Sequence, residues 1–200
     1  MDVTPTRSMA LELNEERRAM HEGYVFLDEK CLLLAGEMLR ELALYTERRR
    51  TFVATWERAV ATLQAAAARH GLEGLQVYPP ANLSATHVWR TPRSLMGVPL
   101  QDAEWLGTPT GGAPAVDSSP EAETCRRTFG RMLAEAVPLA AVERNLERLH
   151  HEYRRAVRRA RALQDVLLPE LDRTVYEIET RLAELEQEDA IGMRHRGAHG

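Results

Sequence analysis

Apolar side chains recur every three or four residues along two long segments, one toward each end of the chain. The first segment runs from about Pro5 to Arg69, and its apolar positions are Met20, Tyr24, Leu27, Cys31, Leu34, Met38, Leu42, Tyr45, Phe52, Trp56, Ala59, Leu63 and Ala66. The second has Val142, Leu146, Leu149, Tyr153, Ala156, Ala160, Leu163, Leu167, Leu171, Val175, Ile178, Leu182 and Leu185. Side chains at this spacing share one side of an α-helix. The narrow stripes predict two long helices that pack as a coiled coil.

Local signals mark the starts and irregularities of both helices. Thr4-Pro5 and Ser119-Pro120 each place a hydroxyl residue before proline, which predicts an N-cap followed by the first helical residue. The heptad spacing slips once across Leu34, Met38 and Leu42, and again after Leu167 beside Pro169. Additional four-residue spacings unwind a supercoil locally and proline bends a helix, so we expect the second helix to be bent or unwound near Pro169.

The middle of the chain is rich in helix breakers. Residues 71–120 contain seven of the ten prolines, which favours turns and short strands over helix. Two β-prone runs, one around Val88 and Trp89 and one from Leu95 to Val98, are separated by Thr91-Pro92-Arg93 and predict a small hairpin. The following residues, 107–120, have little apolar surface to bury and are expected to form a flexible connection.

The predicted fold class is therefore all-α, a long antiparallel two-helix coiled coil with an irregular insert that carries a short β-hairpin. We predict four regions. Residues 1–70 form the N-terminal long helix, 71–119 the insert and tip, 120–190 the C-terminal long helix, and 191–200 a flexible tail.

Charge is distributed in bands along the second helix. The net charge of -4 argues against a polycation that binds nucleic acid or anionic lipid by charge alone. Lys30 is the only lysine, so 25 of the 26 basic residues are arginines. Five of them lie outside the predicted apolar stripe: Arg154, Arg155, Arg158, Arg159 and Arg161. Between residues 165 and 189 the sign reverses, with nine acidic residues against two arginines.

The sequence contains no recognisable catalytic, cofactor-binding or metal-binding motif. Cys31 and Cys125 lie far apart without neighbouring Cys or His ligands, and the adjacent pair His150-His151 diverges by about 100° on a helix. A phosphate-binding GxxxxGK[ST] loop is also missing. We expect no catalytic site, cofactor or metal, and both cysteines reduced. The N-terminus lacks a signal-peptide pattern and no stretch of about 20 apolar residues occurs, so we expect a cytoplasmic location.

Three parts of the sequence together resemble the D subunit of the V-type and A-type (V/A) rotary ATPases. They are the opening VTPTRSMALELNEERRAMHEGYVFLDEK, the closing RRARALQDVLLPELDRTVYEIETRLAELEQED and the insert motif, Met96, Gly97, Val98 and Pro99. The positions that carry the resemblance in the two helices are Pro5, Thr6, Arg7, Leu11, Leu13, Gly23, Leu27, Lys30, Arg158, Arg159, Ala162, Leu163, Val166, Leu167, Leu168, Pro169, Thr174, Val175, Ile178, Leu182, Glu184, Glu186 and Glu188.

This resemblance implies a central shaft, or rotor, without an active site of its own. Its two termini would enter the ring of alternating A and B subunits, and its insert would point toward the membrane. The F subunit would bind its side, and the membrane-side socket, formed by the C or d subunit, would hold its foot. The protein would be peripheral to the membrane within the complex. By itself the arginine band is equally explained as a solvated face of the coiled coil, with arginines beside nearby Glu residues. The resemblance implies instead that these arginines, together with Arg194 and Arg196 in the tail, face partner subunits.

Two other interpretations of the sequence compete with this one. A stand-alone coiled-coil scaffold explains two long helices, although it does not explain the insert motif. A nucleic-acid binder could use RRAVRRAR as an arginine-rich helix, but the acidic stretch that follows and the net negative charge oppose it. An enzyme has the least support, because no set of catalytic residues is assembled in the sequence.

Overall fold

The structure, a computed structural model, describes residues 6–76, 78–109, 115 and 118–197, with side chains up to residue 194. Helix α1 spans Arg7–Gln76, strands β1 and β2 span His87–Leu95 and Val98–Leu106, and helix α2 spans Pro120–Ala162. A π-helical segment, Leu163–Leu167, joins α2 to helix α3, Leu168–Gly197. Two long helical segments thus flank a two-stranded antiparallel sheet, and the predicted fold class is confirmed.

The start of each long helix is set by a hydroxyl side chain. At α2, the Ala122 backbone N–H donates to Ser119 Oγ at 3.2 Å, so Ser119 is the N-cap and Pro120 the first helical residue, as predicted. At α1, the helix begins at Arg7, close to the predicted start at about Pro5. The Met9 N–H donates to Thr6 Oγ1 at 3.2 Å, so Thr6 caps the helix, while Thr4 and Pro5 lie outside the described residues.

Internal contacts divide the chain into two compact units. The terminal unit combines Met1–Leu33 with Tyr153–Gly200, and the central unit is Leu34–Glu152. In the terminal unit, Arg7 bonds Glu186 at 2.6 Å, Asn14 bonds Glu179 at 3.1 Å, and Arg17 lies 3.6 Å from Asp172. Later residues of α1 therefore meet earlier residues of α3, and the two helices of this unit run antiparallel.

The helices of the central unit are antiparallel by the same criterion. Arg48 donates to the Pro138 carbonyl at 2.8 Å, and Arg69 lies 3.2 Å from Glu121. Beyond these contacts, His70 Nε2 lies 2.6 Å from Ser119 Oγ, which is also the α2 cap. Gly71 then adopts φ 69°, a left-handed conformation that interrupts the helical geometry near the end of α1.

The part of α1 in the central unit packs through a regular stripe that the sequence analysis misplaced. This inner stripe alternates spacings of four and three without a slip: Leu34, Met38, Glu41, Tyr45, Arg48, Phe52, Thr55, Ala59, Thr62 and Ala66. Glu41 and Thr55 are buried, whereas the predicted core residues Leu42, Trp56 and Leu63 are 50%, 49% and 41% exposed. The prediction was wrong at these three positions because it preferred the apolar residue next to each polar one.

The second long helical segment follows its predicted stripe closely. Val142, Leu149, Ala156, Ala160, Leu171 and Val175 are all buried, while Leu167 and Leu185 are exposed exceptions. At Leu163–Leu167 the helix widens, and the Leu168 N–H donates to the Leu163 carbonyl five residues earlier. The wider turn absorbs one additional residue, which accounts for the irregular spacing. The predicted unwinding near Pro169 is therefore a π-helical turn just before it.

The predicted hairpin exists, but its turn lies five residues further along the chain. Leu95 pairs with Val98, so the turn is Met96-Gly97, with φ values of 48° and 81°. Two consecutive positive φ angles give the tight turn that matches the twist of the flanking strands. Thr91-Pro92-Arg93, where the turn was predicted, lies inside β1. Pro92 is accommodated there because its partner Gln101 directs its backbone polar groups away from β1.

Candidate functional site

Helix α2 holds the outer edge of β2 through side chains. The buried Asn145 side chain accepts from the Gln101 N–H at 2.9 Å and donates to the Gln101 carbonyl at 2.9 Å. Three residues along the helix, Arg148 donates to the Pro99 carbonyl at 3.0 Å. An amide side chain that makes both bonds acts like a neighbouring strand, so α2 covers an edge that would otherwise present unpaired groups.

Helix α1 holds the hairpin through a partly buried ionic cluster. Arg93 of β1 donates to Glu37 at 2.5 Å and also to Glu41, which is only 1% exposed. Arg40 donates to Glu37 at 2.6 Å, and Asp102 of β2 lies 3.7 Å from Arg93 Nε. A fork-shaped guanidinium can bond two carboxylates at once. The hairpin is therefore fixed to both long helices, to α1 by charge and to α2 by backbone hydrogen bonds.

This cluster lowers the pKa of one of its carboxyl groups, Glu37. Hydrogen bonds from Arg40, and to a lesser extent from Arg93, stabilise the ionised form of Glu37, although burial opposes them. The pKa of Glu37 is lowered to about 2 as a result. Glu37 is thus ionised throughout the physiological range, and its charge is available to the two arginines.

None of these anchoring residues was predicted from the sequence, although a signal for two of them was present. A strict heptad register from Leu34 and Met38 places Glu41 on the inner stripe, and a charged residue at such a position calls for a buried partner. Asn145 likewise is a polar residue beside the predicted packing stripe, directly before Leu146. Its partner, the Gln101 backbone, could not be named, because that required knowing the hairpin register.

The insert motif forms the hairpin turn and one wall of a shallow cleft. Met96 and Gly97 make the turn, and Val98 is buried whereas Pro99 is exposed. The cleft has a volume of about 470 Å³ and is lined by Gly97, Val98, Pro99, Arg144, Glu147, Arg148, His151 and Glu152. Arg144 is already paired with Glu147 at 2.6 Å. The motif is thus accessible beside a mixed-charge face of α2, while its role in partner contact stays a prediction.

The predicted basic band lies exposed in the terminal unit. Arg154, Arg155, Arg158, Arg159 and Arg161 are all exposed, and none makes an ion pair with another residue in the described part of the chain. By contrast, the acidic region that follows has partners on α1, since Glu179 and Glu186 bond Asn14 and Arg7. Arg194 is exposed as well, and the Arg196 side chain lies outside the described residues. The band therefore presents uncompensated positive charge to solvent.

Other candidate positions bring no reactive group together. Among the described residues, no three His, Cys, Asp or Glu side chains are grouped so that they could hold a metal ion. Both cysteines are free, and burial raises the pKa of each thiol, which disfavours the reactive thiolate. None of the described helices is both long and apolar enough to cross a bilayer. The expected lack of cofactor and metal stays a prediction.

Comparison with known proteins gives a consistent match over nearly the whole chain. The family model that describes the D subunit of ATP synthase matches residues 9–195. The D subunit of a V-type ATP synthase of Thermotoga neapolitana is 25% identical, with 97% of this chain and 96% of that protein covered. The D subunit of an A-type ATP synthase of Thermococcus gammatolerans is 30% identical over 97% of this chain and 92% of its own length. The chain therefore belongs to the family of ATP synthase D subunits.

Proposed function

We propose that this chain is the central-stalk, or rotor, subunit of a V/A-type rotary ATPase. It couples ATP hydrolysis or synthesis in the ring of A and B subunits to proton or sodium transport by rotating inside that ring. The chain itself performs no chemistry in this role. The observation that carries the proposal is the family match over residues 9–195, on a chain built from two long antiparallel helical segments.

The cross-links between the helices support a role in transmitting torque. Each unit holds its helices together by side-chain contacts as well as by apolar packing, for example Arg7 with Glu186 in the terminal unit and Arg48 with Pro138 in the central unit. A pair of helices tied at several levels resists sliding and twisting of one helix past the other. The hairpin is tied to both helices in the same manner, so force applied there is passed to the helices.

The exposed arginine band supports a role in contacting the ring. Five unpaired guanidinium groups on one helical region attract carboxylates of a surrounding protein, yet water and salt screen each contact over about 8–10 Å. Shallow, screened attractions of this kind guide a shaft without holding it in one deep energy well. We propose Arg154, Arg155, Arg158, Arg159 and Arg161, with Arg194 and Arg196, as partner-facing residues.

The remaining partners follow from the same proposal. The F subunit binds the side of the shaft, and the membrane-side socket, formed by the C or d subunit, receives its foot, the end of the central unit where Arg69 and Glu121 meet. The protein is then cytoplasmic and peripheral to the membrane, which it reaches only through the complex. No cofactor, metal or nucleic acid takes part.

Reconstitution tests the proposal directly. The chain is co-expressed with the A, B and F subunits of its own organism, and the purified assembly is weighed by native mass spectrometry. The proposal predicts one copy of this chain for every three A and three B subunits. A folded chain that stays outside an otherwise intact A/B ring contradicts the proposal and favours a stand-alone scaffold.

Charge reversal tests the arginine band within that assembly. Replacement of Arg158, Arg159 and Arg161 by Glu is expected to lower ATP-driven ion pumping or weaken assembly, because attraction to the ring becomes repulsion. A matched control reverses Arg173 and Arg181, two arginines of the acidic region. Unchanged assembly and coupling in the first variant refutes the role assigned to the band.

A further inference from the structure

The packing stripe of the terminal unit contains one residue more than a regular heptad pattern allows. Before the π-helical segment, its buried and half-buried positions are three and four residues apart: Tyr153, Ala156, Ala160 and Leu163. After the segment the same alternation resumes: Leu168, Leu171, Val175, Ile178 and Leu182. The step from Leu163 to Leu168 is five residues, where a heptad step would be four. The π-helical turn at Leu163–Leu167, here called the wide turn, carries the additional residue.

Two consecutive leucines can fill the packing layer that follows Leu163. Leu168 occupies this layer and is half-buried, whereas Leu167 is 41% exposed beside it. A regular step of four from Leu163 would instead end at Leu167, and four more residues lead from there to Leu171. The additional residue would then lie one turn later in the helix. Both routes join the same two buried positions, Ala160 and Leu171.

The two routes are similar in free energy. Each buries one leucine and exposes the other, so the apolar surface removed from water is nearly the same. Each contains one wide turn, because the number of residues between Ala160 and Leu171 does not change. Pro169 lies next to both positions of the turn and has no backbone N–H, so residue 169 has no hydrogen bond to exchange when the turn moves. Neither route is therefore strongly favoured over the other.

We infer that the wide turn is a switch with two positions, and that Leu167 and Leu168 exchange places in the packing layer as the turn moves along the helix. Residues 164–168 rotate by about 100° and advance by about 1.5 Å in this exchange, which are the increments of one residue in an α-helix. The arginines before the turn and the contacts of α3 after it, such as Asp172 with Arg17, keep their places. The inference goes beyond the proposed function and does not depend on it, because it concerns one pair of helices within this chain.

The exchange changes the outer surface between the arginine band and the acidic region. In the position seen in the structure, Val166 and Leu167 are 49% and 41% exposed. In the second position, Leu167 is covered by α1 and Leu168 is turned outward. An apolar surface of a surrounding protein that packs on Leu167 therefore selects the first position, and loss of that contact releases the turn. The helix thus responds locally to a neighbour while the residues on both sides of the turn stay in place.

Met20 of α1 faces the layer in which the two leucines exchange. On one side of it, Arg17 lies 3.6 Å from Asp172. On the other side, a Cβ at Gly23 would lie 4.0 Å from Leu163 Cδ1. Met20 is half-buried and lies midway between Arg17 and Gly23, and residues 167 and 168 lie midway between Leu163 and Asp172 on the opposite helix. A cysteine at position 20 therefore reports which of the two leucine positions faces α1.

Disulfide trapping in the full-length chain tests the exchange, with Cys31 and Cys125 replaced by serine. Met20→Cys is combined with Leu168→Cys in one variant and with Leu167→Cys in another, and the rate of disulfide formation in a glutathione buffer is measured by mass spectrometry. A turn with two positions brings each of these cysteines within bonding distance of position 20. The two rates are expected to agree within about tenfold, because the two positions are similar in free energy.

A matched control uses the neighbouring layer, which keeps its place in both positions of the turn. Gly23→Cys is combined with Leu163→Cys, at the facing residue, or with Ala162→Cys, at the exposed residue before it. Only the pair with Leu163→Cys is expected to close rapidly. If Leu167→Cys reacts as slowly relative to Leu168→Cys as Ala162→Cys does relative to Leu163→Cys, the turn is fixed and the inference is overturned.

Unfolding by urea provides a second readout that needs no introduced cysteine. Leu167→Ser, Leu168→Ser and the double variant are compared by circular dichroism. With two positions of the turn, each single variant retains one leucine for the layer, so its urea midpoint falls only slightly. The double variant is then expected to lose more than the sum of the two single losses. A double loss no greater than that sum overturns the inference, since a fixed turn depends on Leu168 alone.

Discussion

Replacement of Arg93 by methionine tests whether the hairpin is held to α1 by the partly buried ionic cluster. Methionine keeps most of the side-chain length but removes the guanidinium that bonds both Glu37 and Glu41. Glu37 retains Arg40 at 2.6 Å, whereas Glu41, 1% exposed, keeps only Arg40 at 3.7 Å. Leaving a buried charge without its partner costs about 3–5 kcal/mol.

At about 2–4 °C per kcal/mol for a chain of this size, this loss lowers the melting temperature by roughly 6–20 °C. Circular dichroism measures the melting temperature, and hydrogen exchange of the β1 and β2 amides shows whether the loss is local to the hairpin. Arg90→Met is the control, because Arg90 lies on the same strand, is exposed and makes no ion pair among the described residues. The double variant Arg93→Met, Glu41→Met removes both charges and is expected to recover most of the stability. A loss below about 1 kcal/mol, or no recovery in the double variant, refutes the assignment.

Four further substitutions have defined outcomes. The pKa of Glu37 is lower in the folded protein than its ordinary value of 4.5, so ionised Glu37 stabilises the fold fully at pH values above 4.5 and ceases to do so as the pH falls toward 2. Glu37→Gln is expected to remove this pH dependence, as acid titration of the melting temperature will show. Asn145→Ala leaves the Gln101 N–H and carbonyl unsatisfied and is expected to cost about 2–4 kcal/mol by urea unfolding, with faster hydrogen exchange in β2. Gly107→Ala places a methyl group against the backbone carbonyl oxygen of Ala85 and is expected to destabilise the protein, whereas Gly36→Ala, with open space around it, is expected to stabilise α1 by up to about 1 kcal/mol in the same assay.

Sequence periodicity predicted the helices well because both follow simple spacing rules. In the second long segment the apolar residues themselves occupy the packing positions, so Val142 through Val175 could be placed directly. In α1 the packing positions include Glu41, Thr55 and Thr62, and each has an apolar neighbour one residue further on. A prediction that always chooses the apolar residue therefore leaves the inner stripe at these positions and introduces a change of spacing that the helix does not have.

The hairpin shows a different limit of sequence analysis. Pro92 was interpreted as part of a turn because proline is common in turns, but its missing N–H is harmless at a strand position that faces away from the partner strand. The turn at Met96-Gly97 requires a methionine with φ 48°, which few non-glycine residues adopt, so composition gave no indication of it. The anchors of the hairpin, Arg93 and Asn145, depend on contacts between residues more than 40 positions apart.

The central claim, that this chain turns inside a ring of A and B subunits, is tested most directly by observing rotation. The reconstituted complex is immobilised through its ring, and a gold bead is coupled to a cysteine introduced at Ser84 after Cys31 and Cys125 have been replaced by serine. We predict that the bead rotates in one direction in steps when ATP is added, and that it stops when ATP is removed. A bead that remains fixed on a complex that hydrolyses ATP at the normal rate would contradict the claim.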